Sequence, residues 1–401
     1  MNNTTNSIQG LLFDPISFKG GSKIATSEAL SLCHHHNITF TILTVNPEYW
    51  KTSRLVQQQN ATIKVIPDFA WFSKQQYGLN YWFSQCYFAL LVMITCLRTY
   101  PIQVAIGASG PGVDMPLYLV QRAFGYKIIQ FIHGNVAISR SIGWCLTRAD
   151  HVFYLPSTRA SLQYSLERYL TRKVGIEDCL AMCEYYLQAP HYHSFVNGLP
   201  QSAWPSRSQT KTPVCFWAAS LLKWKGLDLF LDSLRIANQL MPVVTNICYI
   251  QPDDTALPVS QAPINIANVL WFQDPPELDS IRQRSNIYVS TSHHEPFGLS
   301  ILEALAAGMC VIIPNDGAYW DGELQHGVNC IKYAPNDPQS LASAILYVFA
   351  NSHVIEELGL AAIKLADTYR ADVTYQEFNQ LLVTLADVNK TDVKQTVRDP
   401  Q

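Results

Sequence analysis

Charge is scarce in this chain: Asp, Glu, Lys and Arg make up 15% of its 401 residues. Its basic residues are scattered and form no cluster, so the electrostatic footprint of a nucleic-acid binder is missing. Ten cysteines are present, yet no two form a Cys-x-x-Cys pair, and even Cys179 and Cys183 are separated by three residues. The histidines at 34–36, 191 and 193 lack carboxylate or thiolate partners at metal-ligand spacing. A structural zinc site is therefore not expected, and the thiols read as buried and reduced. The first thirteen residues, MNNTTNSIQGLLF, contain no basic residue, so no secretory leader is expected and the expected location is cytoplasmic. No apolar run reaches the ~20 residues of a membrane span. The nearest candidate, 81–100, is apolar, Thr95 aside, only from Tyr87 to Leu97, which reads as a core or interfacial helix.

What is present is a globular composition, 48% hydrophobic, in a chain long enough for two cores. Charge is divided unevenly. Residues 1–200 hold fifteen Lys/Arg against ten Asp/Glu, and residues 201–401 hold thirteen against twenty-one. A basic front half beside an acidic back half suits two domains with different partners. For the front half, an anionic acceptor or membrane surface is the expectation.

Short β-rich runs alternate with helical stretches. GLLFD (10–14), ITFTILTV (38–45), TIKVIPD (62–68), VAIGAS (104–109), KIIQFIHG (127–134) and HVFYLP (151–156) read as strands. A polar, Pro- and Ser-rich stretch at 197–213 interrupts the pattern. It then restarts with VCFWAAS (214–220), NICYIQ (246–251), NVLWFQ (268–273), NIYVSTS (286–292), CVIIPN (310–315) and CIKYAP (330–335). Apolar strands separated by helices predict parallel sheets covered on both faces. Two such domains would face each other across a cleft, with ligands at the carboxyl ends of the strands.

The informative motifs follow strands. Gly20 and Gly21, with Lys23 behind them, precede a helix and would let an anion approach its free amides; alone, they read as an ordinary glycine turn. GASGPGVDMP (107–116) has the wrong spacing for a dinucleotide fingerprint. His133 ends an apolar strand, where a polar group would face the cleft. Ser220 ends the first strand of the second half, and Lys223 and Lys225 come just before a glycine and a helix. A lysine there is a mobile point charge suited to phosphate.

The strongest stretch is HHEPFGLSILEALAAG, 293–308. Pro296 stops a strand, and Gly308 ends the helix that follows. The amides of Phe297, Gly298, Leu299 and Ser300 form a helix N-terminus suited to a diphosphate. Glu295 lies before that terminus, and Glu303 lies more than one turn inside the helix. Carboxylates accept hydrogen bonds from vicinal hydroxyls. A nucleotide sugar carries hydroxyls on both sides of its diphosphate, which matches two carboxylates flanking helix amides.

These residues resemble the donor-binding segment of retaining, GT-B-fold glycosyltransferases of family four, including the type that builds bacterial surface polysaccharides. KGGSKIA, FIHGN, SFVNGLP and WAASLLKWKG are similar to that family's glycine loop, His-Gly strand end, hinge and diphosphate segment, in the same order. The resemblance implies two Rossmann-like parallel-sheet domains. Residues 1–200 would bind acceptor, 201–212 would link, and 213–370 would bind a UDP- or GDP-sugar. A helix at 371–387 would pack back on the first domain, before a polar tail at 388–401. Glu303 would hold the ribose, Glu295 and His133 the transferred sugar, and Lys225 with the helix amides the leaving diphosphate. No cofactor or metal is implied, and the chain has no Asp-x-Asp pair of the metal-dependent type. Two features depart from the family. Ser220 stands where an arginine is usual, with Lys223 as its expected substitute, and ICYIQPDD lacks the usual glycine turn, which affects base contacts near Phe272 and Gln273.

The acceptor is expected to be a glycan or a lipid-linked sugar. Phe69, Trp71, Phe72, Tyr77, Tyr81, Trp82 and Phe83 crowd one stretch of the basic half, which suits contact with the inner membrane face. Two other readings stay open: a different reaction on the same fold, such as nucleotide-sugar epimerisation or phosphorolysis, and a non-catalytic scaffold that binds a nucleotide sugar.

Overall fold

The computed structural model describes residues 8–385 except 19, 36–37, 59, 68–77, 100 and 253–256. The chain forms two compact units. One runs to Val196 and resumes at Thr374; the other is Asn197–Val373.

The first unit is built on a seven-stranded parallel sheet. Its strands are β1 (Ile8–Asp14), β2 (Ile38–Thr44), β3 (Ala61–Val65), β4 (Val104–Gly107), β5 (Lys127–Ile132), β6 (His151–Tyr154) and β7 (Tyr192–Ser194). Their spatial order is β3-β2-β1-β4-β5-β6-β7. The second unit carries β8 (Cys215–Ser220), β9 (Thr245–Ile250), β10 (Val269–Gln273), β11 (Ile287–Val289), β12 (Cys310–Pro314) and β13 (Ile331–Tyr333). Here the order is β10-β9-β8-β11-β12-β13. All strand pairings within the two sheets are parallel, and helices join most successive strands. These are two Rossmann-like α/β domains, as the alternation of strands and helices predicts.

Burial follows position in the sheet. The central strand β1 is buried on both faces, which is why IQGLLFD reads as an apolar run. The edge strands β3 and β10 are only partly buried. The sequence reading missed β7. Its three residues, Tyr-His-Ser, are too few to show a period, and pairing with β6 decides their conformation.

Two stretches tie the units' boundaries. Residues 201–212, expected as a linker, run along the second unit. The Ser206 amide donates to Asp279, the Ser208 amide to the Ala307 carbonyl at 3.0 Å, and the Ser208 hydroxyl to the Ser285 carbonyl at 2.7 Å. At the other boundary, helical residues 376–385 belong to the first unit. Phe378 packs edge-on to Phe131 at 4.7 Å, and the Cys33 thiol donates to Asn379.

The helix Gly78–Thr99 has 22 residues and is long and apolar enough to cross a membrane by length and composition. In this fold Phe88, Val92 and Cys96 bury one face of it in the first unit's core. Phe69, Trp71, Phe72 and Tyr77 lie outside the described residues. All ten cysteines are free thiols, and all but Cys86 are buried.

Candidate active site

In the second unit, the residues singled out by sequence gather where β8 and β11 end. After β8, Lys223–Lys225 makes a single 3-10 turn, and Gly226 then starts the helix Leu227–Ala237. Gly226 has φ +73°, and a Cβ there would lie 2.0 Å from the Thr291 carbonyl oxygen, so only glycine lets the turn seat on the segment after β11. Thr291 also donates its hydroxyl to the Lys225 carbonyl at 2.9 Å and accepts from the buried Trp217 indole at 3.0 Å. The His293 amide donates to the Trp224 carbonyl at 2.8 Å. The loop is thus fixed at several points, and Lys225 is held over the Trp224 ring, 4.0 Å from its centroid.

Lys225 and Glu295 form an ion pair, with side chains 18% and 14% exposed. Gly298 makes the approach of Glu295 possible. It caps the helix Leu299–Ala306 with φ +83°, and a Cβ there would meet the Glu295 side chain at 2.9 Å. Gly298 provides no side-chain cap, so the first-turn amides of Leu299 and Ser300 are not satisfied by one. A helix start of this kind attracts negative charge. The Phe297 side chain points the other way. It is buried against Tyr319 and Trp320, at 5.0 and 5.3 Å, and anchors the loop while its amide stays with the helix start. The Trp320 indole donates to the Gly298 carbonyl at 3.3 Å, and Asp316 accepts from the His294 amide at 2.9 Å.

Glu303 is held from below by Arg282, whose guanidinium donates to it at 2.5 Å and to Asp279 at 2.8 Å. Arg282 is buried while Glu303 is partly exposed. Tyr288, on β11, lies near both glutamates. Burial raises its hydroxyl above the usual phenol range, and Glu295 and Glu303 push it the same way. Neither Arg282 nor Tyr288 was singled out from the sequence, because one is a helix arginine among others and the other sits inside an apolar strand.

Two other lysines have partners of their own. Lys223 does not join Lys225 at Glu295. It pairs with Asp228 at 2.7 Å, both side chains half exposed. Ser220 itself closes β8, paired in register with Ile250. Lys23, behind the glycine turn, is buried. It is 6% exposed, with its ammonium 2.9 Å from Asp14. Asp14 in turn accepts from Thr44 and the Trp50 indole at 2.8 and 2.7 Å. Beside it, Gly20 is extended with φ −117° and starts the helix Gly21–Ser31.

His133 directly follows β5 in the first unit. Its Nε2 lies 3.0 Å from the Thr26 hydroxyl, and its ring stacks on Phe131 at 5.6 Å. GASGPGVDMP turns out to be structural. Asp114 is fully buried, accepting from Gln130 at 2.7 Å and from the Ser109 amide at 3.1 Å. Burial pushes its carboxyl up to about 8, so it is largely protonated at neutral pH.

Known proteins are similar to this chain over part of its sequence and in fold. Residues 200–364, within the second unit, match the family model of glycosyl transferases group 1. Glycogen synthase of Mycobacterium tuberculosis is 36% identical over 91 residues, 22% of this chain and 21% of that protein. The 2-deoxystreptamine N-acetyl-D-glucosaminyltransferase of Niallia circulans is 34% identical over 140 residues, 34% of this chain and 36% of that protein. The chain thus aligns with about a fifth to a third of these relatives' length. In fold the likeness extends over most of the chain. Anabaena HepE, solved in complex with UDP-glucose, matches with a TM-score of 0.68 over 94% of this chain and 100% of that one, at 14% identity. The fold is therefore that of the GT-B glycosyltransferases.

Proposed function

We propose that the protein is a retaining glycosyltransferase that moves a sugar from a nucleoside-diphosphate sugar to a glycan or lipid-linked acceptor in surface-polysaccharide assembly. The observation that carries this reading is the Lys225–Glu295 pair beside the uncapped start of the helix Leu299–Ala306, with Glu303 one face further along. A bound diphosphate would draw Lys225 from Glu295 and accept from the amides of Gly298 to Ser300. Glu295 would then be available to sugar hydroxyls, and Glu303, oriented by Arg282, to the ribose. Charge developing on the leaving diphosphate would meet a preorganised cation and helix dipole, the main catalytic contribution of such a site. The reading assigns no metal. His133, Gly20 and Gly21, in the first unit, are assigned to it through their sequence positions alone.

UDP-sugars are the first donors to try, because HepE was solved with UDP-glucose. The test is thermal shift and turnover with UDP-, GDP- and ADP-sugars on the wild type and Glu303→Ala. One nucleotide family should stabilise the protein and be turned over, with both effects lost in the variant. A second reading, a nucleotide-sugar-binding scaffold, is favoured by the engagement of Lys223 with Asp228, which leaves Lys225 as the cation paired at Glu295. Stabilisation without turnover on any acceptor would select it.

A further inference from the structure

The helix Gly78–Thr99 has a second face that the core does not use. Leu79, Phe83, Cys86, Leu90, Met93 and Leu97 recur at alternating steps of four and three and are all exposed. At 1.5 Å per residue this row is about 27 Å long. Beside it, Trp82 is half exposed and also lines a pocket of about 350 Å³. The pocket's apolar floor includes Trp144 and Tyr169, and its polar side is formed by Arg140, Arg172 and Lys173. Arg148 lies against the Trp144 ring at 4.3 Å and donates to the Tyr169 hydroxyl at 3.4 Å. The first unit's ion pairs between described residues involve none of these four cations.

Cations without carboxylates around an aromatic floor fit an anion attached to apolar matter. The adjoining row fits an apolar phase, because a soluble monomer seldom exposes so continuous a strip. Its spacing also suits a seam with a second helix, but such seams carry charged flanks that set partner and register. This helix has one charged residue, Arg98, so it has no means of setting a register. Aromatic side chains at one end and cations alongside match the headgroup layer of a bilayer.

We propose that this face of the first unit docks on an anionic phospholipid bilayer. The pocket takes a lipid phosphate between Arg140, Arg172 and Lys173, and the row from Leu79 to Leu97 lies in the membrane interface. The proposal concerns the first unit alone and holds whether or not the second unit transfers a sugar.

Cys86, the one exposed thiol, lies in the row and can carry an environment-sensitive fluorophore. The full chain so labelled is titrated with vesicles of phosphatidylcholine alone or with about one-third phosphatidylglycerol, in ~0.1 M salt. Flotation of unlabelled protein runs in parallel. Binding should require phosphatidylglycerol and shift the label's emission to the blue. Each of Arg140→Gln, Arg172→Gln and Lys173→Gln should weaken it about fivefold, and Phe83→Ser with Leu90→Ser should abolish the shift. All these positions are exposed, and circular dichroism checks that the variants fold. Equal binding to both vesicles, or cation variants that bind as well as the wild type, would overturn the proposal. So would displacement by inorganic phosphate at matched ionic strength, which would make the pocket a site for free anions. A blue shift that tracks protein concentration without vesicles, with a dimer in sedimentation, would make the row a seam between copies instead.

Discussion

Lys23 and Lys225 hold equivalent places in the two units. Each follows the first strand of its sheet, close to a glycine and the first helix, and each pairs with a carboxylate. They differ in access. Lys23 is sealed beneath the sheet's end on Asp14, which is itself satisfied by Thr44 and Trp50. Lys225 remains partly open, on a loop fixed through its backbone, beside an uncapped helix start. The comparison teaches that a lysine's place after a strand does not assign it to chemistry. What matters is whether its partner is already fully hydrogen-bonded and whether a ligand can reach the pair.

The contrast can be broken by exchanging what each lysine loses on removal. Lys23→Met leaves a buried carboxylate without its cation and should cost about 3–5 kcal/mol, read from denaturant midpoints. Lys225→Met should lower turnover about 10²–10³-fold while changing stability by about 1–2 kcal/mol, since its pair is not sealed from water. Equal stability losses in the two variants would remove the distinction. Arg282→Met should weaken donor binding about tenfold, because Glu303 loses the group that orients it; Arg282→Lys should restore part of this, as measured by titration calorimetry.

An effect that is smaller per pH unit sharpens the first unit's side. Asp114 is raised to about 8 by burial, from an ordinary value near 4. Between those values the folded state keeps a proton that the unfolded state has released, so stability falls as pH rises from about 4 to about 8, by at most about 1.4 kcal/mol per pH unit. Unfolding at pH 5, 7 and 9 should show that slope, and Asp114→Asn should flatten it. Smallest of all, Lys223→Ala removes an exposed pair and should change stability by about 0.5 kcal/mol or less.

The sequence made the sheets legible because buried parallel strands are written as apolar runs, as β1 and β12 are. It also placed Glu295, Gly298 and Glu303 together, because a Pro stop, a glycine and an apolar helix fix their relative positions within one short segment. Long-range partners were not legible. Nothing near Arg282 points to Glu303, 21 residues away. Lys223 and Lys225 look alike in sequence until the single helical turn sends one to Asp228 and the other to Glu295. The burial of Lys23 was not legible either, because it depends on Asp14, which Thr44 and Trp50 from other elements also hold.

The return of the chain to the first unit at Thr374 bears on the order of synthesis. Phe378 and Asn379 reach the ribosome exit only after the whole of 197–373, yet they complete a cluster with Phe131, Phe153 and Cys33. The unit whose translation begins first is therefore the last to be finished. Until then its β5 and β6 aromatics wait uncovered, which gives chaperones an interval in which to act on the nascent chain.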